Sequence, residues 1–147
     1  MKTIPYLILT LLVVGLAEPA LASPPDGPYE KYHENGLLKE KGSFKDGKKD
    51  GPYEVYYENG QLSRKGTYKD GKKEGPEECY DATGQLRLKG PCKDGKSHGP
   101  AETYHSNGFL AGKGTYKDGE KNGVWEYYHD SGQLEKKQTY KNGELAD

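Results

Sequence analysis

The sequence predicts an all-β fold, a single elongated antiparallel meander of five tandem 24-residue β-hairpin repeats. Three observations predict it. Glycines recur at a constant spacing of 24, as Gly27, Gly51, Gly75, Gly99 and Gly123. Each unit carries two turn signals, and no helix of ordinary length fits between them. Opposite charges fall into pairs when the strands are aligned about the first turn.

The elements follow in chain order. Residues 1–22 read as a signal peptide: Lys2 gives a basic start, an apolar stretch follows, and Ala20-Leu21-Ala22 before Ser23 has the small-x-small form of a cleavage site. The stretch is short for a membrane anchor and breaks early, at Glu18 and Pro19, so cleavage is expected, with an uncleaved N-terminal anchor as the main alternative. An exported protein, periplasmic or extracellular, is the expectation. Residues 23–147 form the repeat domain, with units at 27–50, 51–74, 75–98, 99–122 and 123–147. This part has no isoleucine, only Val55 and Val124, and twelve tyrosines. A thick aliphatic core is excluded, but stacked units can share a thin one that no single unit could build.

With the first glycine as position 0, glutamate stands at position 3 (Glu30, Glu54, Glu78, Glu102, Glu126) and tyrosine at position 5 (Tyr32, Tyr56, Tyr80, Tyr104, Tyr128). Leucine fills position 11 (Leu38, Leu62, Leu86, Leu110, Leu134), lysine positions 14 and 18, and an aromatic position 17 in four units. The turns are Asn35-Gly36 and Asp46-Gly47 and their equivalents, pairs that suit the left-handed dihedrals of tight hairpins. A two-residue loop at Asn-Gly sets position 3 opposite position 14, pairing Glu30 with Lys41 and likewise in every unit. It sets Tyr29 and Tyr53 over Gly42 and Gly66, where an aromatic can cover exposed backbone. Alternation then puts Tyr29, Tyr53, Trp125, the leucine row and the position-17 aromatics on a buried face. The position-5 tyrosines fall on the wetter face unless a bulge resets the parity.

These units resemble the bacterial variant of the MORN repeat. The form G-x-W-x-x-Y-Y-x-x-G-x-L is matched best by Gly123, Trp125, Tyr128, Gly132 and Leu134, and by Gly51, Tyr53, Tyr56, Tyr57, Gly60 and Leu62. The third unit departs most, with Glu77 at the aromatic position and Cys92 where others carry Phe or Tyr. The resemblance implies an elongated array supporting protein or membrane interactions, with no catalytic residues to carry over. Many such proteins bear an antitoxin label. For an exported copy that suggests protection against an incoming secreted toxin.

Chemistry is scarce. Cys79 and Cys92 are the two cysteines, and an oxidising compartment favours a disulfide. The simple register sets Cys79 opposite Leu88, about 13 Å along the strand from Cys92, too far for a bridge. The expected disulfide therefore needs the Thr83-Gly84 turn displaced by a bulge; otherwise the cysteines stay separate. His33, His105 and His129 share position 6, two strands or about 9.6 Å apart in adjacent units, which disfavours a metal site. No nucleophile elbow or phosphate loop occurs, so neither an enzyme nor a cofactor is expected. With 22 basic and 23 acidic residues the balance gives no reason to expect nucleic acid. The expected function is an exported interaction or scaffold module. Its partner would be another protein, possible toxin neutralisation included, with the tyrosine row as binding strip and Trp125 as packing anchor. An envelope structural protein self-associating through its end strands, and an accessory subunit of a periplasmic enzyme, are the alternatives; membrane contact stays open.

Overall fold

The computed structural model describes residues 23–146, and the segment read above as a signal peptide lies outside them. Ten principal strands form one open antiparallel sheet in chain order, from Gly27–Tyr32 at one edge to Leu134–Lys141 near the other. The first strands are Gly27–Tyr32, Gly51–Tyr56, Gly75–Tyr80, Gly99–Tyr104 and Glu120–Tyr128. The second strands are Leu38–Lys45, Leu62–Lys69, Leu86–Lys93, Leu110–Lys117 and Leu134–Lys141. Four two-residue strands (Lys48–Lys49, Lys72–Lys73, Lys96–Ser97, Glu144–Leu145) fold back after the second turn. The described residues contain no helix.

The Asp-Gly turn closes as a two-residue loop with both residues left-handed: φ is 50° at Asp46 and 71° at Gly47, and Lys45 pairs with Lys48. The Asn-Gly turn does not. Only its glycine is left-handed, with φ of 82° at Gly36. His33 N–H donates to the Leu37 carbonyl and Gly36 N–H to the His33 carbonyl, enclosing a three-residue loop. The Asn35 carboxamide oxygen supports it by accepting from Leu37 N–H at 3.0 Å. This is the alternative hairpin geometry, a turn finished by a left-handed glycine.

The extra loop residue should shift every pair by one, yet Glu30 opposes Lys41 and Tyr29 opposes Gly42. A β-bulge at position 12 absorbs the shift: Lys31 pairs with Glu40 and Tyr32 with Leu38, leaving Lys39 unpaired. The same bulge recurs in all five hairpins. Positions 0 to 4 therefore keep the expected register. The leucine row does not: Leu38 opposes Tyr32, so it shares the tyrosine face and not the buried one. Consistent with that, the leucines are at best half-buried, and Leu134 is exposed.

The core is the thin opposite face. It consists of Tyr53, Cys92, Ala101 and Trp125, of which Trp125 is the only large side chain fully buried among the described residues. Tyr29 stacks on Phe44 with ring centroids 4.7 Å apart, Tyr53 on Tyr68 at 4.6 Å, and Trp125 on Tyr116 at 5.0 Å. Glycine at position 15 makes room for them: the Tyr29 ring lies over Gly42 and the Tyr53 ring over Gly66. Lysines at position 22 roof the same face. Lys49 lies 5.2 Å from the Tyr68 centroid and Lys121 4.5 Å from that of Trp125, within cation–π range.

The expected disulfide is absent: both cysteines are free. Cys79 pairs with Leu88 and Cys92 with Gly75. The bulge in this hairpin is the ordinary one on the turn side of Cys79, moving the register by a single residue where a bridge needs four. Cys92 instead donates from Sγ to Glu77 Oε2 at 3.0 Å. Burial, followed by this bond and the Glu77 charge, pushes its thiol up to about 12, so it stays a thiol at neutral pH.

Candidate functional site: the ladder face and its trough

The face opposite the aromatic core carries three parallel rows. In the middle runs the charge ladder. Glu30, Lys41, Glu54, Lys65, Glu78, Lys89, Glu102, Lys113, Glu126 and Lys137 are register neighbours across all ten principal strands. Sequence alignment within hairpins finds these residues but not where they reach. Each lysine contact crosses to the next repeat: Lys41 to Glu54 at 2.8 Å, Lys65 to Glu78 at 2.9 Å and Lys113 to Glu126 at 3.1 Å. Among the described residues only Lys137, in the last unit, bonds within its own hairpin, to Glu126 at 2.7 Å.

On one side of the ladder stands the position-5 tyrosine row. Every hydroxyl donates to the glutamate two residues before it, as Tyr104 does to Glu102 and Tyr128 to Glu126, each at 2.6 Å. Tyr32, Tyr56 and Tyr80 bond Glu30, Glu54 and Glu78 likewise. The preceding lysine also covers the ring, Lys65 lying 5.8 Å from Tyr80 and Lys113 5.7 Å from Tyr128. Lysine, glutamate and tyrosine thus form one joint between successive repeats, and the bond to Glu102 helps push the Tyr104 hydroxyl up to about 12.

A second set of joints lies at the Asn-Gly loops. The position-6 side chain reaches the position-5 carbonyl of the next unit: His33 Nε2 to Tyr56 at 2.9 Å, Tyr57 Oη to Tyr80 at 2.8 Å, and His105 Nε2 to Tyr128 at 2.8 Å. A carbonyl only accepts, so Nε2 of both histidines carries the proton. Asn35, Asn59 and Asn107 donate to the carbonyls of Glu58, Ala82 and Asp130. The histidines are therefore rivets between repeats. Among the described residues no cluster of three or more His, Cys, Asp or Glu could hold a metal.

The junction between the third and fourth repeats lacks all three kinds of bond among the described residues. Asp81 folds onto its own loop, accepting from Thr83 N–H and Gln85 N–H. Thr83 replaces the bridging asparagine. Lys89 opposes Glu102 in register but makes no ion contact among the described residues.

On the other side of the ladder, exposed residues at position 1 (Pro28, Pro52, Pro76, Pro100, Val124) form the third row. A trough runs between this row and the charges, in successive segments that share Pro52 and then Pro76. It is largest over repeats three to five, about 680 Å³, where Pro76, Pro91, Pro100 and Val124 meet Lys89, Glu102, Lys113 and Glu126. The widest segment thus overlies the junction with the fewest side-chain bonds.

The family model described as MORN repeat variant matches five times, at residues 25–46, 49–70, 73–94, 97–118 and 121–142. The chain belongs to the MORN repeat variant family. No curated protein matches it. The last four matched MORN segments open at position 22 of the preceding unit, placing the roofing lysines Lys49, Lys73 and Lys121 at the start of a segment. Their 24-residue recurrence was a visible signal of this role, and Ser97 interrupts it in the aberrant third unit.

The MORN ladder makes stability depend on acid pH. Lys41 and Tyr56 hold the Glu54 carboxyl below its ordinary value, and Tyr80 and Lys65 do so for Glu78. Lys137, Tyr128 and Lys113 lower Glu126 from 4.5 to about 2. A carboxyl whose folded pKa is depressed stabilises the fold above its unfolded pKa and loses that contribution as pH falls through the folded one. The urea midpoint is therefore expected to fall progressively between pH 4.5 and about 2. Glu54→Gln/Glu78→Gln/Glu126→Gln will show a shallower pH dependence over that interval; an unchanged slope would show that the ladder contributes nothing.

Proposed function

We propose that this MORN-variant chain is an exported interaction scaffold, without chemistry of its own, that holds an extended segment of another protein along the trough. The observation that carries this reading is the trough itself: one wall apolar, one wall of alternating charge, continuous across the repeats. Apolar surface supplies affinity, and fixed charges select register and partner. The tyrosine row is the weaker candidate, because each hydroxyl is already committed to a glutamate of its own strand. The features of residues 1–22 support export, and a secreted toxin is one partner the antitoxin label suggests.

The test uses tagged protein crosslinked in the cells that produce it, with the captured partner identified and then purified for binding measurements. Thr115→Arg/Val124→Arg, which fills the trough from its floor and rim, is expected to abolish binding to that partner. Tyr56→Phe/Tyr80→Phe/Tyr104→Phe is expected to retain it, each variant being checked for native circular dichroism. The opposite pattern would move the binding surface to the tyrosine row and refute the trough.

A further inference from the structure

We propose that the array joins head to tail with a second copy of itself, the last principal strand of one chain docking against the first strand of the next. This inference is independent of the trough. It rests on the joint that the chain builds between its own repeats, whose two halves are left over at the two ends.

At the leading end, Glu30 accepts from Tyr32 but has no lysine in ion contact among the described residues, and Tyr32 is 57% exposed where its four counterparts are half-buried. At the trailing end, Lys137 turns back to Glu126, while Leu134 is 49% exposed where the other four leucines are half-buried. Among the described residues the outer edge of Gly27–Tyr32 carries no strand. That of Leu134–Lys141 is paired only at Tyr140 and Lys141. Such edges are templates for strand pairing. Extending the internal register sets Lys137 opposite Glu30 of the next copy and brings His129 to the carbonyl of that copy's Tyr32, as His33 and His105 already do internally.

Three features make this joint weaker than the internal ones. Lys136 meets Lys31 across it, although each has its own carboxylate, Glu135 and Glu40, both at 3.8 Å. Gln138 stands where the other repeats carry glycine. Residues 23–26, exposed and outside any strand, with a bend at Asp26, must yield to the last residues of the neighbour. The contact is also heterologous, so it generates an open series and not a closed dimer.

Sedimentation velocity on protein purified from cells producing the full sequence tests this directly, from micromolar to millimolar concentration. The average mass is expected to rise without a plateau at two copies and to fall with added salt. Glu30→Lys and Lys137→Glu will each weaken association by on the order of tenfold. Mixing the two single variants restores it, because each supplies the charge the other lacks, and so does combining both changes in one chain. A monomer at every concentration, a plateau at two copies, or a mixture no better than its components would overturn the proposal.

Discussion

Trp125→Ala is expected to cost about 3–5 kcal/mol, the largest loss from any single truncation in the array. The indole is 1% exposed. It packs edge-on against Tyr116, lies 6.3 Å from the Tyr127 centroid and is roofed by Lys121 at 4.5 Å. Its Nε1–H donates to the Thr115 carbonyl at 3.1 Å, a bond that the truncation also removes. Against the roughly 5–15 kcal/mol of a typical domain this is a large fraction. In a linear array cohesion is a sum of neighbour contacts, so the loss will concentrate in the fourth and fifth repeats. Urea unfolding followed by Tyr116 and Tyr127 environments should show these two repeats melting first.

Gly114→Ala should destabilise by about 1–3 kcal/mol through the same ring. A Cβ on Gly114 would lie 2.4 Å from Cδ2 and Cε2 of Trp125, closer than real contacts allow. The backbone there is not left-handed, so the cost is steric and not conformational. This makes it removable: in a Trp125→Ala background the added methyl should cost less than about 0.5 kcal/mol, and the double-mutant cycle should return the difference as coupling. Equal costs in both backgrounds would mean that the glycine serves the backbone.

How far the sequence reveals this molecule depends on the scale of the constraint. The hairpins and their register are legible because Glu30 and Lys41, Tyr29 and Gly42, and their repeats constrain one another across strands. The type of the first turn is not, since Asn35-Gly36 fits a two-residue loop as well as the three-residue loop it forms. The bulge at position 12 left only a negative trace: Lys39, Ser63, Arg87, Ala111 and Glu135 share no chemistry, as befits an unpaired residue. Strict alternation without it places the leucine row on the wrong face. The disulfide expectation followed from cysteine count and compartment, whereas register alone already separated Cys79 from Cys92. Of the candidate surfaces, the tyrosine row was visible as a row, but its bonds to Glu54, Glu78 and Glu102 required the fold. The trough could not be read from residue type, because an exposed proline at position 1 becomes a wall only beside its neighbours.

Recurring side-chain joints link the repeats, and among the described residues they are missing where the trough is widest. Native-state hydrogen exchange measures this most directly. The backbone pairs Glu102 with Lys89 and Thr103 with Leu88 are the counterparts of Glu54 with Lys41 and Val55 with Glu40. With three kinds of bond missing at the former, its opening free energy should be lower by on the order of 2 kcal/mol. Asp81→Tyr/Thr83→Asn, which copies the second unit's loop, should recover part of that difference. Equal protection at the two junctions, or a boundary between independently opening blocks elsewhere in the array, would contradict the joints as the source of cohesion.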